Sequence, residues 1–414
     1  MRQARRIAAS PAVIFVAALT TRLAATVFIF RNYFGPQLLF VQNESSHIAS
    51  ALVTGWGFSS PYANVPVAAT AQQPPLYPLI LAGIFKLFGT CTVSSAWAAV
   101  VLNILAGALT AVLLYYVGNL YFTKTVGLVA AWVWALPWMY RALAFSTSLS
   151  SPYLAALGLT GLLLLLPKVL NADRGWFTLG IYAGLLVLLQ ATFLVVLAFY
   201  GIWLAFSKAR SPKMLLALAG LCLMLVPWTI RNYVQLGRLI PIRDNFGMEL
   251  WLGNRPGMQG TVDYHGDFPD HDPSNYAQLG ELRFMDEKFL ESREFIASDP
   301  LSFLKRCLRR SFEFWYIPYS PPWILISVLG WAGAVLAWKK KRVAVLLTIP
   351  LLAFPPVYYV THTFPTYRHP IDPVIILLAA YGIVEMTTWA CGHFMDVDKP
   401  WRSHEPPRFG VSAR

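Results

Sequence analysis

Residues 176–206, WFTLGIYAGLLVLLQATFLVVLAFYGIWLAF, make an apolar stretch of 31 residues with Gln190 and Thr192 at its centre. One helix of that length overshoots a hydrocarbon core of about 30 Å, whereas two helices joined at Gln190–Thr192 are each short. The basic residues around the stretch decide between these readings. With two helices, Lys124, the Lys168/Arg174 pair, the Lys208/Arg210/Lys213 cluster and the run Lys339-Lys340-Lys341-Arg342 all fall on one face of a membrane. That face is cytoplasmic by the tendency of cations to remain inside. With one helix, the last two clusters change sides. The stretch therefore reads as a hairpin.

Working outward, spans are expected at about 11–30, 93–118, 126–143, 147–167, 214–230, 323–338, 343–360 and 371–391. With the hairpin this makes about ten transmembrane helices and two cytoplasmic termini. The N-terminal MRQARR precedes a retained first helix, since no small-residue cleavage site follows it. Residues 76–89 are apolar but too short to cross and contain Lys86, so they are expected to be re-entrant or interfacial. Pro355-Pro356 should kink the span that contains it.

The chain has 414 residues, 57% hydrophobic and only 13% charged. A soluble domain carries about 25% charged residues, so the class is polytopic α-helical membrane protein. The net charge of +13 comes from cations that punctuate apolar runs, not from one basic face, and no base-reading motif accompanies it. Nucleic acid is not an expected partner. The four cysteines lack metal or redox spacing.

Acids are distributed unevenly. Residues 1–230 hold two, Glu44 and Asp173, while 231–320 hold 13 of the 20. Asp173 lies in a basic connector, where solvation accounts for it. Glu44 opens the polar stretch NESSHIASALVTGWGFSSPYANVPVAATAQQPPLYP, residues 43–78, just outside the first span. A carboxylate in a half-chain that otherwise avoids acids is a functional candidate. The expected organisation is an N-terminal membrane module, 1–230, with a functional first outer loop at 31–92. A small mixed extracytoplasmic domain, 231–320, follows, then C-terminal membrane helices, 321–391, and a cytoplasmic tail, 392–414. Within the insertion, RLIPIRDNFGMELWLGN suggests strand and turn, 280–296 a helix, and 301–314 a surface helix with Lys305, Arg306, Arg309 and Arg310 on one side.

This topology gathers Glu44, Arg31, Arg231, Arg243, Arg368, His47, His369 and Asp372 on the outer side, near the membrane surface. One carboxylate among guanidiniums suits deprotonation of a hydroxyl while a phosphate leaves. The pattern E-x3-IA-x2-L-x2-G-x-GF-S-x-P, continuing TA-x2-PPLYPL, resembles the first outer loop of bacterial dolichyl-phosphate-mannose–protein mannosyltransferase-like enzymes. These belong to the GT-C superfamily, which includes the lipid A aminoarabinose transferase. PWTIRNY, NFGMELWLGN and YRHPIDP resemble the same group, and the likeness runs over roughly 12–390. It implies a GT-C-like fold and inverting transfer of a sugar from a polyprenyl-phosphate donor to an extracytoplasmic acceptor. It places the family's acidic base on Glu44 or, one residue off, on Asn43. Where relatives carry a second acid and an acidic-Lys pair, this chain has Asn43-Glu44 and Gln72-Gln73. No cofactor is assigned, and a divalent metal stays compatible.

Simpler readings stand beside these. Arg231 and Arg368 could instead anchor helix ends at headgroups. His47 and His369 suit hydrogen bonding better than metal ligation, and Asp372 suits a helix cap. Trp56 and Phe58 could stack on a sugar or only anchor the loop. The alternative function is a transporter or flippase for a lipid-linked substrate, which the Gln190/Thr192 break favours.

Overall fold

The computed structural model describes residues 10–33, 43–62, 65–136, 149–207, 210–255, 273–316, 321–340 and 344–395. The membrane-facing half begins with α1 (Pro11–Tyr33), followed by two short outer-loop helices, α2 (Glu44–Val53) and α3 (Leu76–Phe88). Next come α4 (Val93–Tyr121), α5 (Lys124–Ala135), α6 (Pro152–Ala172), α7 (Trp176–Leu189), α8 (Phe193–Phe206) and α9 (Met214–Leu236). The insertion forms α10 (Phe246–Asn254), α11 (Pro273–Leu279), α12 (Glu281–Ser298) and α13 (Pro300–Tyr316). The chain returns through α14 (Pro321–Lys340), α15 (Ala344–Ala353), α16 (Pro356–Val360), a 3-10 turn (Pro365–Ile371) and α17 (Asp372–Met395).

Six of these segments are long and apolar enough to cross a membrane: 11–28, 93–121, 152–172, 214–236, 321–339 and 365–389. The other expected spans fall on shorter apolar helices. The decisive stretch divides as its centre predicts. α7 stops at Gln190, whose backbone is extended (φ −147°), and α8 starts again at Phe193. At about 1.5 Å per residue each half rises only ~21 Å, so the pair is a hairpin of half-length helices. The helix that contains Pro355-Pro356 breaks there into α15 and α16, because proline cannot donate to the preceding turn. The expected span 126–143 is represented by α5, and residues 137–148 lie outside the described set.

Burial separates the helices. Val374 through Tyr381 of α17 are all buried, packed along α14 and α5. α9, by contrast, buries only Gly220 and Asn232. It meets α7 along a glycine seam, where a β-carbon on Gly180 would collide with the Ala217 backbone and one on Gly220 with that of Phe177. Leu215, Leu216, Leu218, Leu223, Val226 and Ile230 of α9 are left apolar and exposed, as lipid-facing surface should be.

Among its described residues the insertion forms helices and no strand. Among the described residues the only β pairing is an isolated bridge, Ser59 with Ala69, in the first outer loop. The segment NFGMELWLGN, expected within a strand-and-turn region, is helical. With no partner strand its backbone must bond internally, and Met248 and Leu252, one turn apart, pack on Tyr276, Phe284 and Met285 instead. The expected helices at 280–296 and 301–314 form as α12 and α13. Arg310 departs from the expected basic surface, however. It is fully buried and donates to the carbonyls of Tyr359 and Val360 and to Gly253 and Asn254.

Candidate functional site

The site begins with a helix cap. Asn43 Oδ1 accepts the Ser46 N–H (3.0 Å) while the Ser46 hydroxyl accepts the Asn43 N–H (2.8 Å), a reciprocal cap that starts α2. The Asn43 amide also donates to Leu149 O (2.9 Å), which ties the cap to the start of α6. Glu44 is thereby fixed as the first residue of α2, half-buried, with its charge in reach of Glu249 and Arg243. Burial pushes its carboxyl above the usual glutamate range and Glu249 adds to that; its own backbone N–H and Arg243 oppose the shift.

Glu249, on α10, is the second carboxylate. Its Oε1 accepts from Arg243 Nη2 (3.1 Å) and from the Asn245 amide (2.5 Å). His362 brings Nδ1 to 3.3 Å from the Glu249 backbone oxygen and 3.4 Å from Oε2. Burial lowers the His362 pKa, and its Nε2 lies 3.0 Å from the Tyr367 hydroxyl. Tyr367 in turn lies against Tyr358, ring centroids 4.8 Å apart. The Tyr358 hydroxyl accepts from the Gln190 amide (3.0 Å) and pairs with Thr192 (3.1 Å). The break in the decisive hairpin therefore buttresses the wall of the site.

The first outer loop is held from the insertion by side chains. Arg231 donates to Thr70 O (2.6 Å) and Phe58 O (2.5 Å) and lies over the rings of Phe58 and Trp228. Glu281 accepts the Ala71 N–H (2.6 Å). Arg243 Nε donates to Gln72 O (3.0 Å), and the buried Gln72 amide donates to the Tyr62 hydroxyl. Both Asp244 and Tyr276 crowd Glu281, and burial with that neighbour pushes the Asp244 carboxyl up to about 8.

Of the residues singled out from sequence, the fold brings together Glu44, Asn43, Gln72 and Arg243. It places Arg231 and Phe58 at the base of the loop, and leaves Trp56 exposed at 64%. His47 is half-buried and Gln73 partly exposed; the Arg31 side chain lies outside the described residues. Arg368, His369 and Asp372 are not at the surface, being only 1–2% exposed. Arg368 Nε donates to Asp372 (2.7 Å) and Nη1 to Trp315 O and Ser327 Oγ (2.8 Å each), over the Trp323 ring. Sequence reasoning missed Glu249, Tyr62, Tyr358, His362 and Tyr367. Glu249 and Tyr367 belong to the segments NFGMELWLGN and YRHPIDP and Tyr62 to the stretch 43–78, whereas Tyr358 and His362 lie outside all three. Among the described residues no three His, Cys, Asp or Glu side chains are grouped to hold a metal ion.

Residues 72–230 match the family described as dolichyl-phosphate-mannose-protein mannosyltransferase. The fold is shared with ArnT from Cupriavidus metallidurans, solved bound to undecaprenyl phosphate (TM-score 0.54, 15% identity, covering 92% of this chain and 64% of that one). It is also shared with the Archaeoglobus fulgidus oligosaccharyltransferase tethered with an acceptor peptide (TM-score 0.55, 14% identity, 93% and 50%). The archaeal oligosaccharyltransferase AglB from Archaeoglobus fulgidus, solved with an inhibitory peptide and a dolichol-phosphate, gives a TM-score of 0.52 at 14% identity over 95% of this chain and 52% of that one. The chain thus spans about half to two-thirds of these proteins. No curated protein matches it. The family match spans well under half of the chain, and the likeness to these solved structures is one of fold.

Proposed function

We propose that this chain is an inverting glycosyltransferase of the cytoplasmic membrane, acting on its extracytoplasmic face. It takes a sugar from a polyprenyl-phosphate donor and gives it to a hydroxyl of a lipid, glycan or protein acceptor. The observation that carries this reading is Glu44, a half-buried carboxylate fixed at the start of α2 by the Asn43 cap, with the charges of Glu249 and Arg243 in reach. In the proposed step Glu44 accepts the proton of the acceptor hydroxyl. The freed oxygen attacks the anomeric carbon opposite the phosphate, and the sugar–phosphate bond breaks with its electron pair leaving on polyprenyl phosphate. A raised pKa makes the ionised carboxylate a stronger proton acceptor.

Arg243 meets the growing negative charge on the leaving group. Its Nε and Nη2 are engaged by Gln72 and Glu249, which aims the remaining Nη1 edge without a search over rotamers. Glu249, His362 and Tyr367 position that edge and the wall opposite. Arg231 holds the loop, and Arg368 holds the 3-10 turn that bears Tyr367. The hairpin break that favoured a transporter has its polar groups occupied by Ser151 and Tyr358, so it serves here as a support.

The test uses the full chain in liposomes with radiolabelled polyprenyl-phosphate sugars and a membrane extract supplying acceptors. Wild type and Glu44→Gln are compared after both are shown to fold. Label transferred by wild type alone supports transferase and base together. Equal transfer by both removes Glu44 from the mechanism. No transfer from any donor, with acceptors verified by a working transferase, overturns the reading.

A further inference from the structure

Four helices leave an apolar groove that runs away from the site. It extends from Leu194, near the hairpin turn, to Trp176 and Met214 at the connector end of α6, α7, α8 and α9. Its volume is about 390 Å³, within the ~300–1,000 Å³ of ligand pockets. Small residues on three helices make room for it: Gly180 and Ala183, Ala198 and Gly201, and Ala217. The two polar tips in its lining are already engaged. The Tyr200 hydroxyl donates to Leu346 O (2.5 Å) and Trp176 Nε1 donates to Asp173 (2.8 Å). What remains accepts a chain that makes no hydrogen bonds.

The mouth at the connector end is basic. Lys168 follows the lining residue Leu166 by two positions, Arg174 precedes Trp176 by two, and Lys213 precedes Met214 directly. The one acid there, Asp173, is bound by Lys213 (2.6 Å) and Trp176. Three cations therefore face one carboxylate, and Lys168 and Arg174 are exposed with no carboxylate partner among the described residues. Cations at helix ends are ordinary in membrane proteins. A chain-sized apolar groove opening between them is the added feature.

We propose that this groove binds an anionic glycerophospholipid of the leaflet on the connector side, one acyl chain between α7, α8 and α9 and the phosphate on Lys168, Arg174 and Lys213. The charge pattern argues against the tail of a donor. A polyprenyl phosphate engaged at Glu44 has its charged end at the opposite end of the bundle, whereas this groove carries its cations at the connectors.

Native mass spectrometry of the full chain, titrated with phosphatidylglycerol and with phosphatidylcholine, tests the proposal. Phosphatidylglycerol should bind more tightly by at least about five-fold, the contribution of one basic residue at an anionic surface. Arg174→Gln with Lys213→Gln should erase that preference. Gly201→Leu should abolish the bound lipid, and a β-carbon there meets nothing within 4 Å, so the variant can fold. Equal affinity for both lipids, undiminished binding in Gly201→Leu, or displacement of the bound lipid by polyprenyl phosphate would each overturn it.

Discussion

The charged clusters around Arg368 and around Glu44 are built in opposite ways. Around Arg368 the guanidinium, the Asp372 carboxylate and the His369 ring are almost wholly enclosed, and the arginine is committed to Asp372, Trp315, Ser327 and the Trp323 face. Around Glu44 the groups are only half-enclosed, and Arg243 and Glu249 each keep about 25% of their side-chain surface. Glu44 itself is restrained by its cap and not by a salt bridge. A sealed, paired cluster resists change and serves the fold. An open one with an unspent donor edge can meet a substrate, because its desolvation is completed only when something binds.

The largest effect should come from the open cluster. Glu44→Gln keeps size and cap geometry but cannot take a proton, so turnover should fall ~10²–10⁴-fold. Thermal unfolding should be unchanged, since no ion pair is lost. Radiolabel transfer per folded molecule is the readout. A variant that lost stability along with turnover would mean that the contrast between the two clusters has been drawn in the wrong place.

The sealed cluster should behave in reverse. Asp372→Asn leaves Arg368 buried without its counter-charge, which costs about 3–5 kcal/mol. Denaturation midpoint and yield should drop while the turnover of the folded fraction changes little. Loss of donor affinity with intact stability would restore Arg368 to the phosphate-binding role its position in YRHPIDP suggested.

Arg243 sits between these extremes, contributing both structure and chemistry. Arg243→Ala removes a charge-assisted contact worth about 1.5–3 kcal/mol, so donor binding should weaken by roughly 10- to 150-fold. The drop should show in donor dependence more than in acceptor dependence. Arg231→Ala should instead loosen the first outer loop, whose Phe58 and Thr70 carbonyls it holds.

The membrane helices were legible because lipid leaves the backbone no other way to satisfy its polar groups, and the hairpin because parity of the basic connectors admits one answer. Glu44 stood out because acids are scarce before residue 231. The same logic hid Glu249: it lies in the acid-rich insertion, where one carboxylate is not distinguishable by count. The arginines were grouped by which side of the membrane they occupy, and side alone does not tell a free guanidinium from a buried one. Arg368 looked accessible in a short outer loop, yet that loop winds into a 3-10 turn whose last residues are buried against the bundle. The segment expected as strand and turn is helical at 246–254, because Met248 and Leu252 find their partners on neighbouring helices of the insertion.

The smallest and sharpest effect concerns pH. Glu44 must be ionised to act as a base, and burial with Glu249 raises its pKa, so activity should fall on acidification at a pH above the ~4.3 of a free glutamate. Glu249→Gln removes a like charge and should move that acidic limb to lower pH. Arg243→Gln removes the opposing cation and should move it to higher pH, even though activity is lower throughout. The profile to measure is kcat/KM for the donor, which reports the free enzyme. Opposite displacements in the two variants would establish that the three groups act as one electrostatic unit. A limb that stays put in both would mean that the proton is taken elsewhere, and that the open cluster recognises the donor without performing the chemistry.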